Sequence, residues 1–137
     1  MLKYGLAYFV TAVIFLALDM LWLGTMATSF YRARIPDIVA SDVNYAPAIL
    51  FYLIYAVGIV IFALSPAMET GRWHTALIYG ALFGFFAYAT YDLTSQATLK
   101  QWSTALTVVD IAWGTFASGL SATLSFLATN WLLARLS

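Results

Sequence analysis

Three aspartates stand inside stretches of sequence that are otherwise almost free of charge. Asp19, Asp92 and Asp110 each interrupt an apolar run long enough to cross a membrane. An ionised aspartate at the middle of a bilayer costs about 2.5–3.5 kcal/mol even on a lenient insertion scale. We therefore interpret acidic residues inside a membrane span first as groups that bind a cation or carry a proton. These three residues mark the candidate site.

Two of the acids share a short pattern. Asp19 and Asp110 are each followed three positions later by a tryptophan, Trp22 and Trp113. Residues three apart lie on one face of a helix, so each carboxyl group and its indole ring are expected to face the same space. If the repeated pattern is real, the first and last apolar runs contribute equivalent walls to one site.

The third acid, Asp92, lies on a helix face with Tyr88 and Gln96, since both are four positions away. The sequence around it is rich in hydroxyl groups, which makes this helix end unusually polar. We therefore predict a ligand-binding site drawn from three of the apolar runs. Its predicted members are Asp19, Trp22, Tyr91, Asp92, Thr94, Gln96, Asp110 and Trp113.

The composition indicates what kind of protein positions these groups. Of the 137 residues, 64% are apolar and 9% are charged, whereas soluble domains average roughly 45–50% and about 25%. Six basic residues balance six acidic ones, so the chain has no basic field to hold nucleic acid. It contains no cysteine, which excludes disulfides and thiolate metal sites. We predict an integral membrane protein without a metal site, and the sequence assigns no cofactor.

Four apolar runs reach the roughly 20 residues that a membrane-spanning helix needs. They lie near residues 4–28, 46–65, 74–97 and 105–134. Backbone groups in lipid must be satisfied within the protein, and the runs do not alternate as barrel strands do, so helices are expected. No linker or low-complexity tract divides the chain. The sequence predicts one all-α domain, 1–137, folded as an integral membrane four-helix bundle.

The four-span topology determines where the three aspartates lie relative to one another. Spans one and three run in one direction and span four returns, so all three aspartates fall in the same half of the bilayer. The basic residues do not fix the orientation, because three lie on each face. They are Lys3, Arg72 and Arg135 on one face and Arg32, Arg34 and Lys100 on the other. The charge of the amino terminus tilts the prediction toward both termini in the cytoplasm.

Small residues recur at four-residue spacing on the last two spans. Gly80 and Gly84 form a G-x-x-x-G pattern, and Gly114, Ser118 and Ala122 repeat the spacing on the fourth span. Such faces let helix backbones approach closely in a membrane. We expect them to pack helices, and the face of Gly80 and Gly84 is also a candidate surface for a homo-oligomer.

Several blocks of the sequence together carry a family resemblance. The longest is Tyr88–Trp102 (YATYDLTSQATLKQW), and Leu18–Gly24, Phe30–Arg32, Phe51–Tyr55 and Thr107–Gly114 add to it. These blocks resemble a bacterial membrane family catalogued as domain of unknown function 2177, which usually has Asn where this chain has Ser95. The resemblance implies four helices in a bacterial inner membrane, and it implies no activity.

Three functions are compatible with these observations. The acids and aromatic rings suit a small binding or transport protein for a cation, an organic amine or a proton. Alternatively, the carboxylates hold Mg²⁺ in an intramembrane enzyme acting on a lipid or isoprenoid, although no D-x-x-D pair lies on one helix. In the third case the chain is an accessory subunit of a larger membrane complex, and the acids only lock helices together through hydrogen bonds.

Overall fold

The computed structural model describes residues 2–22, 24, 25, 45–100 and 102–136. Within these residues the secondary structure is helical and contains no strand. A π-helical turn, Val60–Leu64, joins the second and third helices. The helices in chain order are α1 (Leu2–Trp22), α2 (Tyr45–Ile59), α3 (Ser65–Thr70), α4 (Trp73–Thr98) and α5 (Thr104–Leu136).

The described part of the chain contains four helical segments long and apolar enough to cross a membrane. They are Leu2–Trp22, Ala46–Thr70, Trp73–Thr98 and Thr104–Leu136. The predicted all-α four-helix architecture is confirmed, and the last two spans agree with prediction to within two residues. The end of the predicted first span, 26–28, lies outside the described residues, as do Arg32 and Arg34.

The predicted end of the second span was wrong by several residues. The sequence placed a turn from Ser65 onward, but the helical segment continues to Thr70. Pro66 does not end it, because proline is tolerated in the first turn of a helix and the π-helical turn before it changes the hydrogen-bond register. The segment ends at Gly71, whose φ of 71° lies in the left-handed region that favours glycine.

Neighbouring helices run antiparallel around the bundle. The hydroxyl of Tyr4, early in α1, lies 3.4 Å from that of Ser65, at the far end of the second span. Later in α1, the ring of Phe15 packs at 4.8 Å from that of Tyr55, which lies earlier in α2. The pairing of α4 with α5 is also antiparallel, because Gly80 lies against Ala122 and Gly84 against Gly114. Helix α1 closes the ring by packing against α5 as well as α2. This topology puts the ends of α1 and α4 beside the start of α5.

The contact between α4 and α5 is the most extensive in the molecule, and small residues make it possible. Gly80 and Gly84 are both buried there. A methyl group at Gly80 would lie 2.7 Å from the Cβ of Ala122 and 2.8 Å from the carbonyl oxygen of Ser118. The face suggested by the sequence for a homo-oligomer is thus occupied by α5 of the same chain.

Most of the buried residues of α5 are small, whereas large apolar side chains point outward over much of the bundle. The buried small residues of α5 include Gly114, Ala117, Ser118, Gly119, Ser121, Ala122, Ser125 and Thr129. Phe9, Ile54 and Phe86 are each more than 60% exposed. An apolar exterior around a core of small residues is typical of a membrane bundle, because the lipid is as apolar as the side chains that face it.

The packing predicts that Gly84→Ala destabilises the bundle. The added methyl group would meet the Oγ of Ser118 at 2.5 Å, and overpacking of this kind costs about 1–3 kcal/mol. The free energy of unfolding in detergent measures the loss. Gly5→Ala is the matched control, because a methyl group there meets nothing within 4 Å. Equal stability of the two variants would contradict the close packing of α4 on α5.

The antiparallel topology predicts that reporter fusions after residue 70 and after residue 137 report the same side of the membrane. Both positions follow an even number of spans. Fusions with an alkaline phosphatase and with a fluorescent protein give complementary readouts. Reporters on opposite sides would separate the three acids into different halves of the bilayer.

Candidate ligand-binding site

A cavity of about 390 Å³ lies between the helices at the end of the bundle where the acids meet. Residues of all four spans contribute to its wall. The lining residues are Asp19 and Trp22 from α1, Phe51 and Tyr52 from α2, Ala87, Tyr88 and Tyr91 from α4, and Asp110 from α5. The wall therefore combines two carboxyl groups with five aromatic rings.

Asp19 is held by two neutral hydrogen-bond donors. The residue is 7% exposed. The hydroxyl of Tyr52 donates to its Oδ2, and the indole N–H of Trp113 donates to its Oδ1 at 3.2 Å. One donor comes from α2 and the other from α5, so the carboxyl group of α1 ties three helices together. Such donors fix the direction of the carboxyl group and offset part of the cost of its burial.

Two tryptophans stack beside this carboxyl group. The rings of Trp22 and Trp113 are nearly parallel, with 7° between their planes and 4.5 Å between their centroids. The two Asp-x-x-Trp patterns are therefore interlocked, because the tryptophan of the second hydrogen-bonds to the aspartate of the first. Trp22 lines the cavity, and Trp113 supports it from behind.

Asp92 occupies a different environment behind the cavity wall. It is fully buried, and its carboxyl group lies within hydrogen-bonding reach of that of Asp110. Neither oxygen of Asp92 receives a hydrogen bond from an N–H or O–H group in the described part of the chain. Two ionised carboxylates can only accept, so the pair forms a hydrogen bond when one of them carries a proton.

Besides Asp92 and Trp113, two more of the predicted site residues do not line the cavity, Thr94 and Gln96. The hydroxyl of Thr94 donates to the carbonyl oxygens of Thr90 and Tyr91 on its own helix. The amide of Gln96 donates to the hydroxyl of Thr104 at 2.8 Å. The polar end of α4 thus links α4 to the start of α5, while Tyr91 reaches the cavity.

The sequence-based prediction did not include Phe51, Tyr52, Ala87 and Tyr88, all of which line the cavity. For the two tyrosines, the sequence did contain a feature that could have indicated a place in the site. Tyr88 shares the helix face of Asp92 by spacing. Tyr52 lies inside a span that has no charge, away from the span ends where tyrosine is common as an interfacial residue.

The carboxyl groups do not form a cluster suited to a metal ion. Within the described ranges, no three histidine, cysteine, aspartate or glutamate side chains are arranged to hold one. His74, the one histidine of the sequence, lies at the start of α4, where its ring stacks on that of Trp73 at 3.8 Å. It belongs to the opposite end of the bundle from Asp92.

Comparison with known proteins identifies the family. The sequence matches the family model described as "Predicted membrane protein (DUF2177)" over residues 4–127. The chain belongs to this family. All the cavity-lining residues of this DUF2177 member lie inside the matched range, and its four candidate spans make it a multi-pass membrane protein. No curated protein and no solved structure matches the chain.

The hydrogen bonds at Asp19 predict that Trp113→Phe destabilises this DUF2177 protein. Phenylalanine retains an aromatic ring but removes the N–H donor, and loss of a donor to a buried acceptor costs about 1–3 kcal/mol. Thermal unfolding in detergent measures the change. Trp131→Phe is the control, because Trp131 is 57% exposed and has no part in the cavity. Equal effects of the two substitutions would argue against the bond between Trp113 and Asp19.

Proposed function

We propose that this protein binds a small organic cation, a quaternary ammonium or a protonated amine, in the cavity at the acidic end of the bundle. One observation carries the proposal: the carboxyl group of Asp19 stands in a wall of aromatic rings and is held by two neutral donors, Tyr52 and Trp113. The carboxyl group supplies the opposite charge, and the rings supply a surface that attracts cations.

The donors around Asp19 support a charged form of the carboxyl group. Hydrogen bonds to an ionised acceptor are roughly twice as strong as neutral ones, so the bonds from Tyr52 and Trp113 favour the carboxylate. Both donors are neutral, so neither of them compensates the negative charge of the carboxylate. An organic cation in the cavity would compensate it, and contact with a desolvated ring adds about 2 kcal/mol.

The composition of the wall favours an organic cation over an inorganic one. Hard metal ions such as Ca²⁺ take six to eight oxygen ligands and Mg²⁺ takes six. Most of the wall here is aromatic, from Trp22, Phe51, Tyr88 and Tyr91. Ligand cavities in proteins measure roughly 300–1,000 Å³, so a volume of about 390 Å³ suits a small molecule.

The other functions considered from the sequence stay predictions. An accessory role in a larger membrane complex needs a partner, and purification under mild conditions tests for one. An enzyme acting on a lipid or isoprenoid needs a reacting group, and the cavity wall carries carboxyl groups, phenols and an indole as its polar groups. Cation binding needs no reacting group, because the carboxyl groups attract the cation and the aromatic rings contact it.

We also propose a bacterial inner membrane as the location, with both termini in the cytoplasm. The resemblance of the sequence blocks supports the membrane, and the charge of the amino terminus supports the orientation. Homo-oligomers, if they form, use a surface other than the buried face of Gly80 and Gly84.

The proposal predicts that the purified protein binds choline and that Asp19→Asn weakens this binding at least tenfold, or about 1.4 kcal/mol. Asparagine keeps the shape of the side chain but removes its charge. Calorimetric titration measures the affinity, and quenching of tryptophan fluorescence offers a second readout, since Trp22 lines the cavity. Glu69→Gln is the control variant, because Glu69 is an exposed acid outside the cavity.

An uncharged isostere of choline, dimethylbutanol, separates charge recognition from simple apolar binding. We expect it to bind much more weakly than choline. Equal affinity for the two compounds, or unchanged choline affinity in Asp19→Asn, would rule out a cation site at Asp19.

A further inference from the structure

The second span separates from α4 toward the acidic end of the bundle. Helix α2 packs its backbone against α1, whereas the π-helical turn after it, Val60–Leu64, makes the close backbone contact with α4. Next to this turn the ring of Phe83 lies directly against Gly58. One turn further toward the acidic end, the ring of Tyr55 reaches across to Phe83 at 5.0 Å and to Tyr88 at 6.2 Å. The two helices thus meet near the π-helical turn and are bridged by an aromatic ring beyond it.

Phe51 and Tyr91 flank the gap between α2 and α4 at one level of the bundle. Phe51 lies seven residues before Gly58, and Tyr91 lies eight residues after Phe83. Because successive spans run in opposite directions, these steps lead the same distance toward the acidic end from the contact of Gly58 with Phe83. Both Phe51 and Tyr91 line the cavity, so the gap borders it.

The two flanking side chains also face the outside of the bundle. Phe51 is 46% exposed and Tyr91 is 58% exposed, which in a membrane bundle means contact with lipid. In the described part of the chain their rings pack on different neighbours, Phe51 on Tyr52 and Tyr55, and Tyr91 on Trp102. Side chains that line a cavity and also face lipid lie at the border between the two. The gap therefore leads sideways from the cavity toward the bilayer.

The cavity lies at a depth that suits the head group of an amphiphile. The 26 residues of α4 span about 39 Å, whereas the hydrocarbon core is about 30 Å thick. Tyr91 lies seven residues before the end of α4, which is about 10 Å along the helix axis. With α4 centred in the bilayer, the cavity is then about 6 Å below the edge of the hydrocarbon. A polar head group reaches this level while its chain stays in lipid.

The wall favours a head group that is positive and carries no phosphate. Asp19 supplies the opposite charge for an ammonium group, and the rings around it attract cations. None of the described residues that line the cavity is a lysine or an arginine, the side chains that pair with phosphate. A volume of about 390 Å³ suits the head group, so a long chain attached to it needs an exit.

We propose that the ligand is a cationic amphiphile, an ammonium group carried on a hydrocarbon chain, and that it enters from the lipid between α2 and α4. The inference rests on the proposed function, because the ammonium group occupies the cation site at Asp19. The chain passes between Phe51 and Tyr91 and remains in the bilayer. The protein thus recognises an amine that is dissolved in the membrane.

Competition with choline in dodecyl maltoside micelles, whose head groups are uncharged, tests whether the site accepts a chain. We expect dodecyltrimethylammonium to displace choline at a total concentration about tenfold or more below that of tetramethylammonium, because each CH₂ group kept in apolar surroundings contributes about 0.8 kcal/mol. Dodecanol has the chain without the charge and should not displace choline. Failure of dodecyltrimethylammonium to displace bound choline would overturn the inference and leave the cation site standing.

Photolabelling tests where the chain leaves the cavity. The probe is dodecyltrimethylammonium with a diazirine at the fourth carbon of its chain, and mass spectrometry identifies the labelled peptides. We expect label around Phe51 and Tyr91 that excess choline prevents. The label should be lost in Asp19→Asn and retained in Glu69→Gln. Label at Phe9, which is 66% exposed and outside the cavity, should not respond to choline.

The outcomes separate the lateral entrance from the cation site. Label around Phe51 and Tyr91 that choline does not prevent would overturn the inference, because it would report ordinary contact with the micelle. Choline-sensitive label confined to the residues between α4 and α5 would overturn it too, since the chain would then leave toward water. If Asp19→Asn does not fold, protection by choline in the unmodified protein still decides. If neither choline nor the amphiphile binds, the proposed function and this inference fail together.

Discussion

The close approach of α4 and α5 is the constraint on which the candidate site depends. Helices in a bilayer gain little from burying apolar side chains against one another, so their spacing is set by backbone contact. Gly80 and Gly84 allow that contact, and Gly114 continues it, since a side chain there would run into the ring of Tyr88. Asp92 lies on α4 and Asp110 on α5, and their carboxyl groups come within hydrogen-bonding reach of each other.

The cavity follows from a change in side-chain size along the same helices. Beyond Gly114, the buried residues of α5 are mostly alanine, glycine, serine and threonine, which close the bundle tightly. At the acidic end the helices carry Trp22, Tyr52, Tyr88 and Trp113 instead. Trp22, Tyr52 and Tyr88 line the space of about 390 Å³, and Trp113 stacks on Trp22.

Hydrophobicity predicted the helices, because a span is recognised from its local sequence. The shared end of the bundle where the acids lie followed from their positions within the spans, because successive spans run in opposite directions. The same information placed Asp19, Trp22, Tyr91 and Asp110 in the site, and these do line the cavity. It could not pair Tyr52 with Asp19, because that contact depends on the rotation of α2 relative to α1. Thr94, also predicted, does not line the cavity, and its hydroxyl donates to carbonyl oxygens of its own helix. A span without charges gives no pattern from which its rotation can be inferred.

In the sequence the three aspartates look alike, since each interrupts an apolar run. In the structure each of them has different neighbours. Asp19 accepts hydrogen bonds from two neutral donors, which offset part of the cost of burying its carboxyl group. Asp92 is fully buried and receives none from the described residues. Asp110 lines the cavity and also lies within hydrogen-bonding reach of Asp92. Three carboxyl groups at one end of the bundle thus have different neighbours, and the difference between Asp19 and Asp92 arises from which helix supplies a donor.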